Sequence, residues 1–176
     1  FARPGFNVIG TANTRDKGIN EMSSALKRRF NFETVTPVGD VALEKQIILN
    51  EAGALASAAG ITQPLDEEAA ELLATTYHEL REGISAEGQR IEKPTAVMST
   101  AEAISVYFQT LMNAWYYGDG HMQERCLVEN LVGAVAKESR EDLGKISNYF
   151  STVVRDKARQ EGGAWTRYYE ARSQLE

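Results

Sequence analysis

Asn7-Val8-Ile9-Gly10-Thr11-Ala12-Asn13-Thr14-Arg15-Asp16, followed by Ala25-Leu26-Lys27-Arg28-Arg29-Phe30, is the most informative stretch of this 176-residue chain. The mostly apolar run from Phe6 to Ala12 contains β-branched residues and gives way to a polar segment at 13–18. That pattern predicts a buried strand feeding a loop. Asn13 then presents its amide beyond the strand's carboxyl end, where ligands sit in open α/β sheets. An amide there orients water by donating and accepting hydrogen bonds together. Asn20 reads as the cap of a short helix over 21–29, with Met22, Ala25 and Leu26 on one side. Arg28 and Arg29 end that helix with two permanent cations, whose planar forks match phosphate oxygens. Phe30-Asn31-Phe32-Glu33-Thr34-Val35 alternates apolar and polar residues, as a half-covered strand does, and Pro37 and Gly39 end it. Two strands do not make a stable sheet alone, so the first forty residues want neighbours that this chain does not contain.

Beyond residue 40 the apolar period becomes helical. Leu43, Ile47, Ile48 and Leu55 predict one helix, stopped near Gly60. Asp66 caps a second, with Glu67 and Glu68 in its first turn and Ala69, Leu72, Leu73 and Leu80 facing inward. A glycine-punctuated loop follows, from Gly83 to Pro94. Ser99-Thr100-Ala101-Glu102 is a capping box that opens a long helix striped by Ile104, Phe108, Leu111 and Trp115. Gly118-Asp119-Gly120 separates it from a fourth helix bearing Leu127, Leu131 and Val135. Ser139 starts a fifth, striped by Leu143, Ile146, Phe150 and Val153. Gly162-Gly163 then precedes a tail with Trp165, Tyr168 and Tyr169 at helical spacing. These rings either pack back on the bundle or dock on a neighbour. The expected fold is mainly α: the remnant of an α/β core (two strands and a short helix) over 1–39, a bundle of about five helices over 40–160, and a tail over 161–176.

Apolar residues make up 43% and charged residues 25%, the balance of an ordinary globular chain. A chain of this length buries roughly 70% of its unfolded surface and needs no disulfide or metal staple. No window approaches the ~18 uninterrupted apolar residues of a membrane span. The single Cys126 makes no internal bridge, which fits a reducing compartment, most simply the cytoplasm. The chain opens on Phe1 without a signal core, and reads as a piece cut from something longer. Its net charge of −6 is uneven: residues 1–30 carry +4, leaving −10 on the rest. An acidic body disfavours nucleic acid, whereas the compact basic head suggests one local anion site.

The stretch quoted at the outset resembles the second half of a AAA+ ATPase core, of the MoxR, dynein-related and McrB-like branch. By that resemblance residues 6–36 hold the sensor 1 strand, the arginine-finger helix and the last core strand, and the helical remainder is the lid. Asn13 matches the sensor 1 polar residue that positions the attacking water. Arg29 matches the finger that reaches the neighbouring subunit's site, with Arg28 as companion or rival for the role. The resemblance implies ATP and Mg2+ as cofactors of the full-length protein, and a homo-oligomeric ring, a hexamer, joined through Arg28 and Arg29. It also implies a protein client, in MoxR-like members often one with a von Willebrand factor A domain. McrB-like members instead use GTP and work on DNA. The match is specific over some thirty residues and architectural beyond them.

The departures from the family pattern are as informative. There is no Gly-x-x-x-x-Gly-Lys-[Ser/Thr], and no apolar strand ends in Asp-Glu, so Walker A and Walker B are absent from this chain. The isolated chain is therefore expected to be inactive, with no cofactor of its own. Where a sensor 2 arginine often follows a serine in the family's lid, this sequence has Ser99-Thr100-Ala101-Glu102.

Plainer readings stand beside these. Asn13 is also a common turn former at a strand end. Lys27 at a helix C-terminus complements the macrodipole, and Arg28 and Arg29 can do the same. Glu102 is explained by its capping box. His121 and Cys126, five apart, point about 140° away from each other on a helix, so no metal site is argued from them. The competing class is a helical interaction module with no nucleotide role.

Overall fold

Local hydrogen-bonding signals place most of the helices in the structure, a computed structural model that describes residues 3–11, 23–118, 120–135 and 140–175. The chain divides into two compact units, Phe1–Thr36 and Pro37–Glu176. In the first unit a single helical turn, α1 (Ser24–Lys27), is capped by Ser23, whose Oγ accepts from the Leu26 N–H at 3.2 Å. Asn20, expected as the cap of a helix over 21–29, lies outside the described residues. Residues 6–11 and 30–36, expected as strands, form none. A strand needs a hydrogen-bonding neighbour, and none is present among the described residues. The apolar side chains of both segments are accordingly exposed, Ile9 to 93% and Val35 to 90%.

The second unit is helical throughout. Asp40 caps α2 (Val41–Ala58), its Oδ1 accepting from the N–H groups of Ala42 and Leu43. Asp66 caps α3 (Glu67–Glu82), with Ala69, Leu72, Leu73 and Leu80 buried as the sequence indicates. Gly83 ends α3 at φ +74°, a left-handed cap that a side chain would strain. The loop after it closes a small hairpin, whose Ile84–Arg90 bridge is the one β pairing among the described residues. The capping box of Ser99 and Glu102 opens α4 (Thr100–Tyr117). Leu127, Val128, Leu131 and Val135 line the inner face of α5 (Glu124–Val135). A single long rod follows: α6 (Arg140–Tyr149), a π-helical segment (Phe150–Val154) and α7 (Arg155–Glu161). The widened turn carries Phe150, Val153 and Val154 into the core. Among the described residues five long helical segments thus precede Gly162, in line with the expected bundle of about five.

The segment beyond Gly162 also belongs to this unit. It forms α8 (Gly163–Glu170) and a 3-10 turn (Ala171–Leu175), with Trp165, Tyr168 and Ala171 buried. Contacts run from α2 to α3 and α4, from α4 to α5, and from α8 to α3, α5 and α7, so the last helix closes the bundle.

Two expected stripes are turned. In α2 the buried row is Glu44, Ile48, Ala52 and Ala56, while Leu43 and Leu55 are about half exposed. This helix is apolar nearly all round, so periodicity does not select its inner face. In α4 the buried row is Ala103, Val106, Tyr107, Thr110, Leu111 and Ala114. Phe108 is only half-buried and Trp115 is 45% exposed. Tyr107 wins the inner position because its hydroxyl has backbone partners there: it accepts from the Asp66 N–H at 2.7 Å and donates to the Asp66 carbonyl.

Candidate functional site

The first unit displays the basic pair at the end of a local turn. The Arg28 N–H donates to the Ser24 carbonyl at 3.2 Å, and the Arg29 N–H to the Leu26 carbonyl at 2.9 Å. This backbone turn fixes both residues immediately after α1. Both are exposed, and neither side chain has an ion pair or hydrogen bond among the described residues. Two uncommitted guanidinium groups side by side are suited to an incoming anion, above all a phosphate that takes bidentate donors. Asn13, the other residue singled out from the sequence, lies outside the described residues.

The buried charges of the helical unit are committed instead to internal partners. Glu44 on α2 is fully buried, and Arg81 on α3 grips both its oxygens, at 3.1 and 2.7 Å, while the Thr100 hydroxyl donates to it at 2.7 Å. Glu79, two residues before Arg81 on α3, is also buried. It accepts from the Tyr149 hydroxyl at 2.7 Å and the Ala86 N–H at 2.9 Å, and pairs with Lys157 at 3.2 Å. Lys157 also reaches Glu87 at 3.0 Å. Burial pulls the Lys157 ammonium down, but Glu87 and Glu79 outweigh it and hold its pKa above the usual lysine value. Burial beside Glu79 pushes the Tyr149 hydroxyl well up, so it stays a donor.

Asp142 is the third buried acid. It accepts from the Thr95 N–H at 2.9 Å, the Thr95 hydroxyl at 2.6 Å and the Ala96 N–H at 2.9 Å, with Lys145 at 3.3 Å. Burial pushes its carboxyl up, yet these donors more than offset that and bring it down to about 2. All three acids sew loops and helices together, and none faces a cavity that could admit a substrate. Sequence reading missed them. Each sits in a helix whose charged residues ordinarily face water, and each has partners from about 37 to 70 positions away, beyond any local pattern. The one available signal was Glu44, whose helical neighbours three and four positions away include Val41, Ile47 and Ile48.

No group of three or more His, Cys, Asp and Glu side chains among the described residues could hold a metal ion. A shallow recess of about 400 Å³ lies beside Glu124, Arg125, Arg167 and Gln174. Its arginines are already neutralised, Arg125 by Glu129 and Arg167 by Glu124 and Glu68. The start of α4 offers Ser99, Thr100 and Glu102, with no cation. Burial and neighbouring Glu129 push the Cys126 thiol up, which disfavours a nucleophilic role. No described helix is long and apolar enough to cross a membrane.

Comparison with known proteins gives this helical unit its family. The model of the YehL-like AAA+ ATPase C-terminal domain matches residues 42–176, and the chain belongs to this family: it is a C-terminal domain of a AAA+ ATPase. A particular relative is the uncharacterized protein YehL of Escherichia coli (strain K12), 39% identical over 178 residues. The match takes in 99% of this chain and 47% of the relative, so the chain spans about half the length of that protein. No solved structure matches significantly.

Proposed function

We propose that this chain is the carboxyl-terminal part of a ring-forming AAA+ ATPase that couples ATP binding and hydrolysis to remodelling of a partner protein, in the manner of the MoxR-like branch. One observation supports the reading: Arg28 and Arg29 stand exposed with no side-chain partner among the described residues, while the buried charges of the helical unit are tied up internally. ATP, as Mg-ATP, is the substrate, and the groups that cradle its phosphates belong to the part of the protein outside this chain. Arg29, with Arg28 beside it, supplies cationic charge in trans to a neighbouring subunit's site, where negative charge develops during phosphoryl transfer. Asn13 orients the attacking water. The helical unit is the lid, and its buried ion pairs make it stiff enough to swing as one body. The ring is a hexamer, located in the cytoplasm. The charge of −10 on residues 31–176 favours a protein client, one with a von Willebrand factor A domain, over DNA.

Steady-state kinetics of the full-length protein test this reading. Arg29→Ala lowers kcat by ~10³-fold or more, the range of arginine fingers, and Arg29→Lys restores little, because an ammonium lacks the planar fork. Asn13→Ala lowers kcat by ~10–10³-fold with KM nearly unchanged, as expected of a group that acts in the transition state. Unchanged kcat in both alanine variants overturns the assignment.

A further inference from the structure

Residues 38–40, the linker that leads into α2 within the second unit, are gripped by a buried arginine. Arg81 sits near the end of α3, with only 11% of its side chain exposed. Its two terminal nitrogens each make two contacts. Nη1 donates to Glu44 Oε1 at 3.1 Å and to the Met98 carbonyl at 2.8 Å. Nη2 donates to Glu44 Oε2 at 2.7 Å and to the Val38 carbonyl at 3.1 Å. One guanidinium therefore joins four places in the chain: the linker, α2, α3 and the turn that enters α4.

Each partner is itself fixed. Glu44 is fully buried and takes a further hydrogen bond from the Thr100 hydroxyl, in the first turn of α4. Asp40, two residues after Val38, caps α2 with its side chain and accepts from the Glu44 N–H through its carbonyl at 2.9 Å. Pro37 restricts the backbone at the very start of the unit. The planar fork is needed: a lysine has one nitrogen, and it cannot span two carbonyls and both oxygens of a carboxylate in one plane.

We infer that Arg81 is a linker clamp, a positioning residue that, through Glu44 and the Val38 and Met98 carbonyls, makes residues 38–40 part of the same rigid body as the first turn of α4. The clamp carries any displacement felt at the start of α4 directly into the linker. Its role in turnover rests on the reading of this unit as a lid, but the clamp itself does not, and it is tested without nucleotide.

The experiment is amide hydrogen exchange on this chain, comparing wild type with Arg81→Lys and with a double variant, Glu44→Met plus Arg81→Met. The double variant removes the linker contacts without leaving a buried charge unpaired, an exchange that folded proteins often tolerate. Both variants are expected to melt cooperatively. Exchange over 38–44 and over 99–103 rises by about tenfold or more, while exchange over 124–135 stays as in wild type. Unchanged exchange over 38–44 in either folded variant overturns the clamp. If Arg81→Lys fails to fold, the double variant decides. If the double variant also fails to fold, the contacts serve the whole core and the local assignment is wrong. A failed ring ATPase reading would leave all of these exchange results unaffected.

Discussion

Replacing Asp142 with Asn keeps the size of a fully buried side chain and removes only its charge. The carboxylate accepts three hydrogen bonds from Thr95 and Ala96, and Lys145 lies 3.3 Å from it. In the variant the amide carbonyl keeps two of the three acceptor roles, to the Thr95 hydroxyl and the Ala96 N–H. Its NH2 then faces the Thr95 N–H, donor against donor. One orphaned, part-buried N–H and the lost charge assistance together cost about 1–3 kcal/mol. Titration gives a second route to the magnitude. A carboxyl whose pKa falls from 3.8 to about 2 on folding favours the folded state by about 2 kcal/mol when ionised. Because the folded value lies below the unfolded one, this stabilisation is complete above the unfolded value and is lost as pH falls towards about 2. The assay is urea unfolding of wild type and Asp142→Asn at a series of pH values. The gap between them should hold steady from pH ~7 to ~5 and shrink below ~4. A gap under ~0.5 kcal/mol at neutral pH, or one that does not change with pH, would refute the reasoning.

Two further outcomes follow from the packing and from the residues present. Tyr107→Ala should cost about 3–5 kcal/mol and Tyr107→Phe about 1–2, while Phe108→Ala, at a half-buried position, should cost less than Tyr107→Ala; denaturant melts rank the three. Calorimetric titration of this chain with Mg-ATP should show no micromolar binding, since the phosphate cradle and the metal-holding acid are not among its residues.

How far the fold could be read in advance depended on the range of the interaction. Asp66 and the Ser99–Glu102 box were legible because a cap is settled by neighbours three or four residues away. The inner faces of α3 and α5 were legible because polar and apolar residues segregate there. The faces of α2 and α4 were not. In α2 nearly every side is apolar, and Glu44 is inside only because Arg81, 37 positions on, meets it. In α4 the choice between Tyr107 and Phe108 turned on a hydroxyl bonded to Asp66, 41 positions back. The first forty residues show the converse: their strand pattern is clear, but pairing depends on a neighbouring edge. Of the candidate site, Arg28 and Arg29 were visible as a motif, and their freedom from partners was visible only in the structure.

Subunit mixing in the full-length protein bears most directly on the central claim that Arg28 and Arg29 act across a ring. One protein carries Arg29→Ala with an intact phosphate-binding loop, and the other carries a disabled loop with Arg28 and Arg29 intact. Each is expected to be nearly inactive alone. Mixed in assembled rings, they should recover turnover at the interfaces where an intact loop meets an intact finger. Mixed rings that assemble and stay inactive would contradict the account.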